Sequence, residues 1–112
     1  MASLYDLIAP EEGREGDFAV RLDDGSFAPL FRPGDTVYLR RSTELRDGDF
    51  GLFRAESGMV FRQFCQDSQG NIYLFSPDRS RKEADLVIPA DAPRPVCYGK
   101  VLLDAPVPLP ED

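Results

Sequence analysis

Ser26 is the one side chain in this sequence whose neighbourhood suggests a nucleophile. It lies in the stretch from Leu22 to Arg41, L-D-D-G-S-F-A-P-L-F-R-P-G-D-T-V-Y-L-R-R, directly after an Asp-Asp-Gly turn. A serine hydroxyl is a weak nucleophile at neutral pH and needs an adjacent base. The sequence has no histidine. The remaining option is a lysine kept neutral by burial, as in serine-lysine dyads. Only Lys82 and Lys100 are present, one in a polar loop and one in the last strand, and nothing in the sequence directs either toward Ser26. Arginine stays protonated and cannot serve. Taken alone, Ser26 is a turn serine.

The other reactive side chains suggest less. Asp23, Asp24, Asp35, Asp47 and Asp49 all fall in turns, where aspartate is favoured for its hydrogen bonds to the backbone. The calcium-loop pattern with its terminal glutamate is missing. Cys65 and Cys97 stand far apart with no CxxC partner, and nothing suggests that they form a disulfide. No glycine-rich phosphate loop occurs. The expectation is no cofactor and no metal.

These side chains sit in a pattern of short strands. Phe18, Val20 and Leu22 alternate with Ala19 and Arg21, which predicts a half-buried strand over 17–22. Further strands are predicted over 36–40, 50–54, 59–66, 71–75, 86–88 and 96–103. Pro33-Gly34-Asp35, Asp47-Gly48-Asp49, Ala55-Glu56-Ser57-Gly58 and Asp67-Ser68-Gln69-Gly70 supply the turns. Ser26 to Phe31 has room for one helical turn, and Ser76 to Lys82 is predicted as a polar loop. About seven short strands with close turn signals indicate an all-β fold of sandwich or barrel type. The aromatic residues fall mostly in these strands, as core residues do.

At 112 residues the chain is one domain. Residues 1–16 are expected to be an irregular lead-in, 17–103 the domain proper, and 104–112 an extended, mobile proline-rich tail. The formal net charge of -7 disfavours direct contact with nucleic acid by this domain. No basic n-region precedes an apolar run, and no apolar stretch is long enough to span a bilayer. A cytoplasmic protein with reduced thiols and no membrane contact is expected.

The order of these motifs resembles the LexA-like serine peptidases, the C-terminal domains of phage-type repressors, which are more distantly related to signal peptidases. That family carries an apolar strand, Gly-Asp-Ser-Met-x-Pro, a short apolar stretch, then Gly-Asp and a strand. Here Phe18 to Leu22 leads to Asp24-Gly25-Ser26-Phe27-Ala28-Pro29, then Leu30 to Asp35 and Thr36 to Leu39. Leu45 to Phe53 is similar to the family's Gly-Asp/Glu turn. Val60-Phe61-Arg62-Gln63-Phe64 is similar to the strand carrying the catalytic lysine. Tyr73 to Asp78 stands where the family has Leu-x-Ser-x-Asn-Pro, and Gly99-Lys100-Val101 resembles the closing strand. The resemblance spans about Asp17 to Leu103. It implies an all-β, LexA C-terminal or signal-peptidase-like twisted fold with Ser26 at the nucleophile position.

The departures bear on activity. The residues before the serine are inverted to Asp24-Gly25, and Phe27 replaces methionine. Arg62 occupies the lysine position, or Phe61 if the register moves by one. No Ala-Gly or Cys-Gly cleavage dipeptide precedes Ser26; the N-terminal segment offers Glu12-Gly13 and Glu15-Gly16. The resemblance therefore implies a non-catalytic domain with a vestigial Ser26 and with Arg62 in place of its base. Its role would be dimerisation or regulation of a phage-type transcriptional repressor, attached to or partnered with a helix-turn-helix domain. A homodimer through the C-terminal strand, Val96 to Leu103, follows from the same resemblance. The alternatives are an active Ser26-dependent self-cleaving peptidase with an unusual base, and a stand-alone module that binds a peptide or partner.

Overall fold

The computed structural model describes residues 5–8, 17–23, 25, 27–41, 44–56, 58–103 and 105–110. Its strands are β1 (Tyr5–Ile8), β2 (Phe18–Leu22), β3 (Thr36–Arg40), β4 (Phe50–Ala55), β5 (Gly58–Gln66), β6 (Ile72–Phe75), β7 (Leu86–Ile88) and β8 (Cys97–Val101). They form one eight-stranded sheet in the order β1-β2-β3-β8-β4-β5-β6-β7. Every pairing is antiparallel. The all-β class expected from the strand pattern is the class observed. No helix among the described residues is long and apolar enough to cross a membrane.

The alternation in sequence fixes which side chains face inward. Phe18, Val20 and Leu22 from β2 meet Val37 and Leu39 from β3, Phe50 and Leu52 from β4, Phe61 from β5 and Val101 from β8 in the main core. Phe53, Ile72 and Leu74 form a second cluster, joined by Val60, Phe64 and Cys97. Because successive side chains leave a strand on opposite faces, β4 and β5 contribute to both cores. That is why Phe50 to Phe53 are all buried, although a one-sided strand would bury only every second residue.

Two turns are built alike. In Arg32-Pro33-Gly34-Asp35 and Arg46-Asp47-Gly48-Asp49, the aspartate N–H donates to the arginine carbonyl at 3.0 and 2.9 Å. In each, the arginine N–H donates to the aspartate carboxylate at 2.8 Å. Gly34 and Gly48 hold φ of 92° and 97°, the left-handed region that suits glycine at the third position of such a turn. Of the carboxylates considered for metal binding, Asp35, Asp47 and Asp49 thus accept from the backbone. Asp47 accepts from the Gln66 N–H at 2.9 Å, and Asp17 from the Arg41 N–H at 2.7 Å.

Three expectations are revised. The N-terminal segment is not wholly irregular, because Tyr5–Ile8 adds a strand that pairs with Ala19–Leu22. The polar loop after Ser76 winds into a 3-10 helix, Arg79–Ala84. Asp78 caps it by accepting from the Ser80 N–H, and an Arg79–Asp85 ion pair at 2.8 Å links its first residue to its C-cap. The described part of the tail, residues 105–110, has no regular secondary structure but is docked rather than mobile. The amide nitrogen of the buried Gln63 side chain donates to the Val107 and Pro108 carbonyls at 2.9 and 3.2 Å. Strand β8 lies inside the sheet. Lys100 faces both Arg40 of β3 and Gly51 of β4.

Candidate functional site

Ser26 and Asp24 lie outside the described residues, so the site is built from what flanks them. After Gly25 the chain makes a tight hydrogen-bonded turn. The Ala28 N–H donates to the Gly25 carbonyl at 3.0 Å, and the Leu30 and Phe31 N–H groups both donate to Phe27 at 3.1 Å. The Ala28–Pro29 peptide bond is cis.

Phe27 anchors this turn. It is completely buried, and its ring stacks on Phe61 of β5 with centroids 4.3 Å apart and planes inclined by 18°. Phe31 and Phe50 complete an aromatic cluster at 4.9 and 5.6 Å from the same ring. Offset and tilted contacts at these separations are the favoured aromatic geometries. The side chain that reaches the Phe27 turn from β5 is therefore a hydrocarbon ring with no proton to accept or donate.

Arg62 follows Phe61 and leaves the strand on the opposite face. Its Nη1 donates to the Phe61 carbonyl at 2.8 Å, and its Nε donates to the Ala84 carbonyl at 3.3 Å. Arg62 thereby ties β5 to the end of the 3-10 helix. Lys100 pairs with Asp49, with Nζ 3.5 Å from a carboxylate oxygen. Lys82 lies exposed in the 3-10 helix. Cys65 and Cys97 are both free thiols. Burial raises the pKa of each, and for Cys65 the nearby Asp47 and Asp67 carboxylates raise it further. Among the described residues no three acidic, cysteine or histidine side chains gather as metal ligands would.

One residue that organises this region has no motif to announce it. Gln63 reads in sequence as a polar position in a strand, yet it is 3% exposed and its amide also donates to Gly48 at 3.1 Å. The available signal was its spacing, two residues from Phe61 and hence on the same inward face. Phe27 was legible only as a departure from methionine, not as the anchor of the turn.

No curated protein and no solved structure gives a significant match to the chain. The family model for peptidase S24-like domains matches residues 4–92. That span covers the Phe27 turn, the two Gly-Asp turns and the Phe61–Arg62 strand. It also starts at the edge of β1, which agrees with that segment being part of the sheet. The chain belongs to the peptidase S24-like family.

Proposed function

We propose that this is a non-catalytic peptidase S24-like domain that dimerises and regulates a phage-type transcriptional repressor in the cytoplasm. The observation that carries this reading is the Phe27–Phe61 stack. A serine-lysine dyad needs an amine beside the nucleophile, desolvated enough to lose its proton. Here the β5 side chain packed on the residue after Ser26 is a phenyl ring. Arg62, the other candidate for the base position, is turned to the far face and bonded to main-chain carbonyls. Its guanidinium would remain protonated in any case.

Regulation by pairing would use the surface at the start of β8. The last β3–β8 pair is Arg40 with Lys100, so residues 96–98 run beyond β3. Val96 and Tyr98 are 48% and 39% exposed there. A two-fold axis through this stretch would place the same apolar side chains of two copies against each other. Dimerisation would raise the operator affinity of an attached helix-turn-helix domain through effective concentration. With a formal net charge of -7, the domain itself would leave nucleic acid to that partner.

Light scattering across a concentration series tests the pairing. A dimer that Val96→Asp or Tyr98→Asp converts to monomer supports it, and a monomer at millimolar concentration contradicts it. Incubation at alkaline pH with Ser26→Ala as control tests the absence of catalysis. Ser26-dependent cleavage, of the chain itself or of a peptide in trans, would favour the active-peptidase reading instead.

A further inference from the structure

The C-terminal tail lies in a cradle with the chemistry of a peptide-binding site. On one side, Ala105 and Val107 share a groove with Leu30, Phe31 and Tyr38. On the other, Ala105 to Val107 share a groove with the Asp47–Phe50 turn and Lys100. The tail is the wall between the two grooves. Val107 packs on the main core, and the buried Gln63 amide donates to the Val107 and Pro108 carbonyls.

The tail sequence suits this cradle. Residues 105–110 read A-P-V-P-L-P. Proline has no N–H, so a segment with proline at alternate positions brings few donors that would need partners on burial. Its carbonyls remain as acceptors, and the Gln63 amide supplies the donor. Alternating proline also restricts the free chain to extended shapes, which lowers the ordering cost of docking. Aromatic grooves that offer hydrogen-bond donors are a recurring way to hold such segments.

We propose that residues 105–110 are a self-bound ligand, a displaceable strap across a trough that accepts extended, proline-alternating peptides. The two grooves become one when the strap leaves. The trough then runs from the Asp47–Asp49 turn to Leu30 and Phe31, which follow the family's nucleophile position. Gln63 reads main-chain carbonyls, so it would hold a second segment of the same chemistry as it holds the chain's own.

The test uses the full chain. Val107→Asp puts a charge against the core and expels the strap while leaving the cradle intact. The probe is a synthetic Ala-Pro-Val-Pro-Leu-Pro peptide, blocked at both ends, titrated onto ¹⁵N-labelled protein. The Val107→Asp protein should bind it at least about tenfold more tightly than wild type, whose tethered tail competes at roughly millimolar effective concentration. The Gln63 side-chain amide signals should shift on binding. A Val107→Asp protein that binds no peptide, or binds it no better than wild type, overturns the proposal. So does one that fails to fold, since the tail would then be core rather than strap. Independently, Gln63→Ala should leave the sheet folded and make Val107 and Leu109 mobile in ¹⁵N relaxation, and unchanged order there would also overturn it.

Discussion

The rings of Phe27 and Phe61 stack at 4.3 Å, joining the residue that follows Ser26 to the strand in which this family carries its catalytic base. Because the contact is buried on both sides, it is also a structural joint. Phe27→Ala should destabilise the domain by about 3–5 kcal/mol, the usual cost of removing a buried phenyl ring. Phe27→Met nearly conserves volume and restores the family's residue, so it should cost less than about 1.5 kcal/mol. Urea unfolding of the two variants against wild type measures both.

Gly99 marks where β8 fits between β3 and β4. A Cβ at this position would lie 2.9 Å from the Arg40 carbonyl oxygen and 2.9 Å from the Phe18 ring. The carbonyl belongs to a paired strand and the ring to the core, so neither gives way easily. Gly99→Ala should cost about 1–3 kcal/mol as an overpacked site. Gly25→Ala, with open space around it, should cost less. Thermal unfolding of the pair gives the comparison.

Much of this architecture was legible in the chain because it is local. Phe18, Val20 and Leu22 alternate, and so do Val37 and Leu39, so those strands and their inward faces follow from period two. The two Gly-Asp turns follow from the positive φ that glycine permits. The place of β8 was not legible, because its neighbours β3 and β4 are distant in sequence and only long-range pairing sets them. The docking of the tail was missed for the same reason. Its hydrogen-bond donor is Gln63 in β5, and a polar residue in a strand gives no sign that it is buried. At the site, the order of motifs pointed to the family and to positions 61 and 62, but only side-chain direction separates a ring packed on the Phe27 turn from a guanidinium on the other face.

The β5–β6 hairpin should confer acid sensitivity through Asp67. Its carboxylate accepts from the Asn71 side chain at 3.0 Å, the Tyr73 hydroxyl at 2.9 Å and the N–H groups of Gln69 and Asn71. The hydrogen bond from the Asn71 side chain is the main cause of a pKa below the ordinary carboxylate value. A folded pKa below the unfolded one stabilises the protein above the unfolded value, and that stability is lost as pH falls through the folded pKa. The difference in urea midpoint between wild type and Asp67→Ala should therefore be full at pH 7 and shrink below about pH 4. Tyr73 has the opposite sign. The hydrogen bond that its hydroxyl donates to Asp67 raises its pKa, so its contribution should hold at neutral pH and fade as the phenol ionises above about pH 10.

The two thiols should differ in their response to salt. Thiolate is the reactive form, and both cysteines have raised pKa values. Each should react with iodoacetamide at pH 8 more slowly than in the unfolded chain, with two labels incorporated per chain. Burial is the first cause at both, but carboxylates contribute only at Cys65. Raising the ionic strength should speed Cys65 relative to Cys97, because salt screens the charges and leaves the burial in place. Peptide mapping by mass spectrometry at two salt concentrations reads the ratio.

The central claim of the proposed function is that Ser26 has no activating base. Labelling by a fluorophosphonate, which reports an activated serine, tests it most directly. Ser26 in the folded protein should be modified no faster than in the unfolded chain from pH 6 to 10, with no inflection in the rate. Rapid modification confined to Ser26, rising through a titration in that range and abolished in Ser26→Ala, would show an activating base and contradict the account.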